Sequence, residues 1–154
     1  MKIKLIQVGK TKDKWISEGI AEYSKRLTPF ARLEVCEVAD HSIKFNSDRD
    51  TVKRLEAINI LKQVSDEDYL ILMDETGVER SSLEFKDFLI SISDRKQVVF
   101  VIGGVFGVAP ELFQRANSLM ALSRMTFTHR MARLILMEQL YRAMMIKANR
   151  SYHI

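Results

Sequence analysis

A chain of 154 residues with 47% hydrophobic content can bury one core and is too short for two, so residues 1–154 read as one domain. One cysteine, Cys36, excludes a disulfide framework and a cysteine zinc site; no run approaches the roughly 18 apolar residues of a membrane span, and MKIKLIQVGK alternates charge with apolarity where a signal peptide would be apolar, which predicts a soluble cytoplasmic protein. The net charge of +4 favours an anionic partner without identifying it.

KIKLIQV (2–8) reads as a strand, and DKWISEGIAEYSKRL (13–27) as a helix with Ile16, Ile20, Tyr23 and Leu27 on one stripe, ended by Thr28-Pro29. LEVCEVA (33–39) is a second strand in which Cys36 packs. The polar stretch HSIKFNSDRD (41–50) is a loop with a solvated His41, leading into a helix over TVKRLEAINILKQV (51–64). YLILM (69–73) is a buried parallel strand, and DETG (74–77) turns the chain beyond it. Ser81 and Glu84 have capping-box spacing before the helix LEFKDFLISI. QVVFVI (97–102) is another buried strand, breaking into the turn GGVFG (103–107); Pro110 and Glu111 open the short helix PELFQRAN, and LMAL (119–122) is a fifth strand. Alternating strands and helices predict an α/β fold: a mostly parallel sheet with helices on both faces.

The last helix, 131–147, is apolar nearly all round. Leu134, Ile135, Leu136, Met137, Leu140, Met144, Met145 and Ile146 cannot all face one sheet, which predicts that a second copy covers part of it.

Ligands of open α/β sheets sit beyond the carboxyl ends of the strands, where Gly77, Gly103, Gly104 and Gly107 fall. GGVFG is neither a dinucleotide fingerprint nor a Walker loop. His129 with Arg133, and Glu138 with Arg142, are four apart and share helix faces. From His129 onward there are five cationic residues against one acid, a distribution suited to nucleic acid. No spacing of histidines and carboxylates suits a metal. The chain stops on NRSYHI, which puts Tyr152 and His153 at its end.

The N-terminal strand, AEYSKRL, GGVFG, SRMTFTHRMAR, LMEQLYRA and the closing SYH together closely resemble one family over nearly the full length. It is the bacterial ribosomal RNA large subunit methyltransferases acting on N3 of a pseudouridine, minimal members of the SPOUT superfamily of knotted methyltransferases. The resemblance implies a C-terminal trefoil knot whose loops bind S-adenosyl-L-methionine through the matching positions Met73, Gly103, Leu122, Ser123, Arg124, Met125, Thr126 and Phe127. It also implies a homodimer through the last helix, and ribosomal RNA on the assembled ribosome as substrate. Thr128 stands where relatives often have proline before the histidine, which predicts a looser start to that helix.

N3 of pseudouridine is a poor nucleophile until its proton leaves, so a base or an anion stabiliser is expected. On the resemblance, His153 is the candidate general base and Tyr152 the group that stacks on the base or positions the histidine. Arg142 and Arg133 are candidate stabilisers of phosphate or the base anion, and Glu138 orients Arg142. His129, Arg133 and Arg150 are candidate RNA contacts, and the tail completes a site with the partner subunit. The competing readings are a non-catalytic RNA-binding or ribosome-assembly factor on the same fold, and a transfer RNA methyltransferase, which the SYH ending disfavours.

Overall fold

The computed structural model describes residues 1–44 and 48–152. Among these, the strands are β1 (Lys2–Val8), β2 (Arg32–Val38), β3 (Tyr69–Glu79), β4 (Val98–Ile102) and β5 (Ser118–Ala121). The helices are α1 (Lys14–Leu27), α2 (Arg49–Leu61), α3 (Ser82–Ser91), α4 (Pro110–Arg115) and α5 (His129–Lys147). The strands form one sheet in the order β2-β1-β4-β3-β5, and every pairing is parallel.

Central strands covered on both faces must be apolar on both, and β4, VVFVI, is buried at every position. Side-chain alternation then divides the core. Ile3 and Leu5 of β1 join the cluster under α1, α3 and α5, while Ile6 and Val8 join the one under α2 and α4. The capping box of α3 forms as its sequence predicts: Ser81 Oγ accepts from the Glu84 amide, and the Glu84 carboxylate accepts from the Ser81 amide at 2.7 Å.

β3 does not end at Met73. DETG makes a bend inside the strand, with the Asp74 carboxylate accepting from the Thr76 amide and hydroxyl, and pairing with β5 resumes at Val78. Gly77 permits this closeness, because a Cβ there would lie 2.4 Å from the Met120 amide nitrogen.

The crowding of apolar residues on α5 has a source within the chain itself. This helix lies between α1 and α3 on the sheet, which buries Leu136, Met137, Leu140, Met144 and Met145 without a second copy. Only a stripe including Leu134, Ile135, Glu138, Tyr141 and Arg142 stays half-buried on its outer side.

Candidate functional site

The carboxyl ends of β3, β4 and β5 converge with the chain entering α5 around a cavity of ≈ 370 Å³. Met73 and Ile102, paired across β3 and β4, form its floor together with Met120. Asp74 and Glu75 stand on one side, Gly103, Gly104 and Gly107 on another, and Leu122, Ser123, Met125, Thr126, Phe127 and His129 supply the rest with Ala132 and Val108. Of the positions grouped as cofactor-binding from the sequence, Arg124 alone does not line it; that side chain is 90% exposed and lies 3.5 Å from Glu79.

The glycine turn closes on itself, with the Gly107 amide donating to the Gly104 carbonyl at 3.1 Å. A Cβ on Gly103 would lie 2.5 Å from Val108 Cγ1, and one on Gly104 would lie 2.7 Å from Glu56 Oε2. At these two positions the protein already fills the space a side chain would enter, whereas Gly107 faces open space and is favoured by its positive φ of 83°. A larger residue at Gly103 would strike Val108 before any ligand.

The 122–128 segment is shaped by its own side chains. Ser123 Oγ accepts from the Met125 amide at 3.0 Å, and the Thr126 hydroxyl donates to Glu75 Oε2 at 3.2 Å. α5 starts two residues before the expected Met131, and Thr128 is its cap, with Oγ1 accepting from the Met131 amide at 3.3 Å. Threonine in place of proline thus secures the start of the helix where a looser one was expected. His129 follows, half-buried; burial, then the positive charges of Arg133 and Arg130, lower its pKa and favour the neutral imidazole.

Arg133, read from the sequence as an RNA or anion contact, is fully buried within the chain. One guanidinium nitrogen donates to the Val8 carbonyl and the other to Thr11 Oγ1 at 2.9 Å, while Nε has no partner among the described residues. Burial lowers its pKa to about 10, so it remains charged at neutral pH. Its position ties α5 to the end of β1 and presents nothing to a ligand outside.

Arg142 is held in a different setting. Its Nε and a terminal nitrogen donate to Glu138 Oε1 at 3.1 and 2.7 Å, the orienting pair the sequence suggests, with both side chains partly exposed. Its guanidinium lies over the Tyr152 ring at 4.9 Å and donates to the Tyr152 carbonyl at 3.4 Å. The Tyr152 hydroxyl donates to Glu138 at 3.3 Å and lies 3.4 Å from the Tyr23 hydroxyl, and its ring meets Tyr141 edge-on at 4.8 Å. Burial, then the Tyr23 hydrogen bond, raises the Tyr152 pKa well above the usual phenol range. The tail is therefore docked as far as Tyr152; His153 lies outside the described residues. Arg150 sits over the Phe30 ring at 5.3 Å.

A rise of about 1.5 Å per residue puts Glu138 and Arg142 roughly 13 and 20 Å along α5 from His129. Within the chain, the cavity and the Glu138–Arg142–Tyr152 group are separate.

Sequence reasoning passed over Glu56. Only 3% exposed, it shares the α2 stripe of Val52, Ala57 and Ile60, and an acid on an apolar stripe was the available signal. Its Oε1 accepts from the His41 amide at 3.3 Å, and the His41 ring lies 3.2 Å from Asn59 Nδ2, so His41 is not simply solvated. Burial raises the Glu56 pKa to about 7.

A family model described as "Predicted SPOUT methyltransferase" matches residues 1–153. Proteins called ribosomal RNA large subunit methyltransferase H from Desulforamulus reducens and Lactiplantibacillus plantarum are each 39% identical over 99% of both chains, and that of Bacillus cytotoxicus is 37% identical over the same share. A solved structure of a probable methylase family protein from Haemophilus influenzae shares the fold, with a TM-score of 0.52 at 15% identity over 99% of this chain and 70% of that one. With its glycine turn and strand-end cavity in place, and similarity running from end to end, the chain belongs to the SPOUT methyltransferase family.

Proposed function

We propose that this protein methylates N3 of a pseudouridine in large-subunit ribosomal RNA, using S-adenosylmethionine and acting on the assembled ribosome in the cytoplasm. The observation that carries the reading is the end-to-end similarity to ribosomal RNA large subunit methyltransferases H.

The cavity fits the cofactor in size and chemistry. Its ≈ 370 Å³ lies within the range of small-molecule sites. Met73, Ile102, Leu122 and Phe127 offer apolar contact to a flat base, Gly103, Gly104 and Gly107 line one side, and Asp74 and Glu75 oppose the positive charges of a sulfonium and an ammonium. When bound, S-adenosylmethionine supplies an electrophilic methyl group.

The remaining chemistry belongs to the chain. Transfer requires donor carbon and acceptor nitrogen held in line with water excluded. His153 is assigned as the base that takes the N3 proton, with Tyr152 positioning it or stacking on the nucleobase. Arg142, fixed by Glu138, opposes the negative charge that appears as the proton leaves. His129 and Arg150 are assigned to RNA contact.

The separation along α5 supports a homodimer in which the tail of one subunit serves the cavity of the other, with the half-buried stripe of α5 in the interface. The trefoil knot the resemblance implies would involve the segment from β5 to α5.

Methyl incorporation from radiolabelled S-adenosylmethionine should be measured on bacterial ribosomes that carry the target pseudouridine without its methyl group. The wild-type chain should label them, and His153→Ala should not. Equal labelling of ribosomes bearing uridine at that position would overturn the substrate assignment. Calorimetry showing no binding of S-adenosylmethionine would favour a non-catalytic RNA-binding protein.

A further inference from the structure

The start of α1 breaks three local rules at once. Asp13 occupies the N-cap but makes no capping hydrogen bond, because its carboxylate is taken by Arg130 of α5 at 2.7 Å. The first turn has no acid and opens instead with Lys14, against the helix dipole. Beside it stands Trp15, the chain's one tryptophan, 61% exposed although tryptophan is usually well buried. Lys10 and Lys12, both exposed, precede it. Departures from local preference that stability does not explain concentrate at functional sites.

The segment is also firmly located. Asp13 is tied to Arg130, and Thr11 and the Val8 carbonyl to Arg133, so the segment is fixed to the first turns of α5, whose His129 and Ala132 line the cavity. We propose that Lys10, Lys12, Lys14 and Trp15 form a docking surface for single-stranded ribosomal RNA beside the methyl-transfer cavity, the lysines meeting phosphates and the indole stacking on an unpaired base. Cations interleaved with an exposed aromatic are the chemistry that binds unpaired RNA. The other candidate occupant, a second copy of this chain, fits less well, because lysine is depleted from protein interfaces.

This inference rests on the ribosomal substrate proposed above, and the wild-type chain separates the two: failure to methylate ribosomes at all would sink that reading. With an active wild type, Trp15→Ala and the double variant Lys10→Glu/Lys12→Glu should each raise KM for undermethylated ribosomes about tenfold or more. kcat should stay within about twofold, since neither change touches the reacting atoms. Trp15→Phe should recover most of the loss, and affinity for S-adenosylmethionine and the sedimentation coefficient should match the wild type. Wild-type KM in both variants would overturn the proposal. A lower sedimentation coefficient for Trp15→Ala would overturn it too, and assign the surface to a second copy.

Discussion

Two arginines on α5 show how differently its two halves are used. Arg133 is fully buried, bonded to a backbone carbonyl and a threonine hydroxyl, with no carboxylate hydrogen-bonded to it among the described residues. Arg142 is partly exposed and held by a carboxylate and the Tyr152 ring. The first is committed to holding strand, loop and helix together. The second keeps a charge oriented at the edge of the protein, where a substrate could use it. Residue type and net charge do not separate these roles, but burial and the nature of the partners do.

The largest expected effect tests the buried half. Arg133→Ala leaves the Val8 carbonyl without its donor and opens a cavity, and should lower the unfolding free energy by about 3–5 kcal/mol in urea titrations. A loss below about 1 kcal/mol would mean that the anchor is dispensable. Arg142→Ala should behave in the opposite way. Methyl transfer to ribosomes should fall about a hundredfold, while stability changes by under about 1 kcal/mol, because the pair with Glu138 keeps partial contact with solvent. If both variants lost stability equally, the contrast between the halves would fail.

Periodicity contained this contrast. At about 100° per residue, nine residues place Arg133 and Arg142 on opposite sides of the helix, and Arg133 shares its side with Leu136, Leu140 and Met144. A count of the cationic residues after His129, made without their angular positions, does not contain it. The strands of the sheet were legible because buried parallel strands are unbroken apolar runs, as in VVFVI. The extension of β3 beyond Met73 was not, since DETG has turn composition and its pairing with β5 is decided forty residues later. Lining positions such as Ser123 and Thr126 came from motif resemblance, because only folding brings the 122–128 segment against Asp74 and Glu75. The docking of Tyr152 depends on Tyr23, which lies 129 residues away in sequence.

A second buried charge sharpens the comparison from the opposite face of the sheet. Glu56 has a folded-state pKa near 7, above its ordinary 4.5. Between those values the folded chain holds a proton that the unfolded chain has released. This contribution is complete below about pH 4.5 and is lost as pH rises through 7. Wild-type stability should therefore decline from pH 5 to 8 by more than that of Glu56→Gln, the difference being on the order of 2 kcal/mol. Parallel pH profiles for the two would contradict the placement of Glu56. The smallest effect concerns the start of α5: Thr128→Ala removes its cap and should cost about 1 kcal/mol in thermal or urea unfolding.

The order of the strands sets when this protein can fold. β4 lies between β1 and β3, so Ile3 at the start of the chain waits for Val98, and the chain then crosses β3 to place β5 at its far edge. The first strand leaves the ribosome with its inner edge unpaired until two thirds of the chain has been made. Pairings so distant in sequence slow folding and leave apolar strands open to misassociation meanwhile. Assembly of the sheet is consequently a late event in the life of the nascent chain, since its last strand, β5, ends at Ala121.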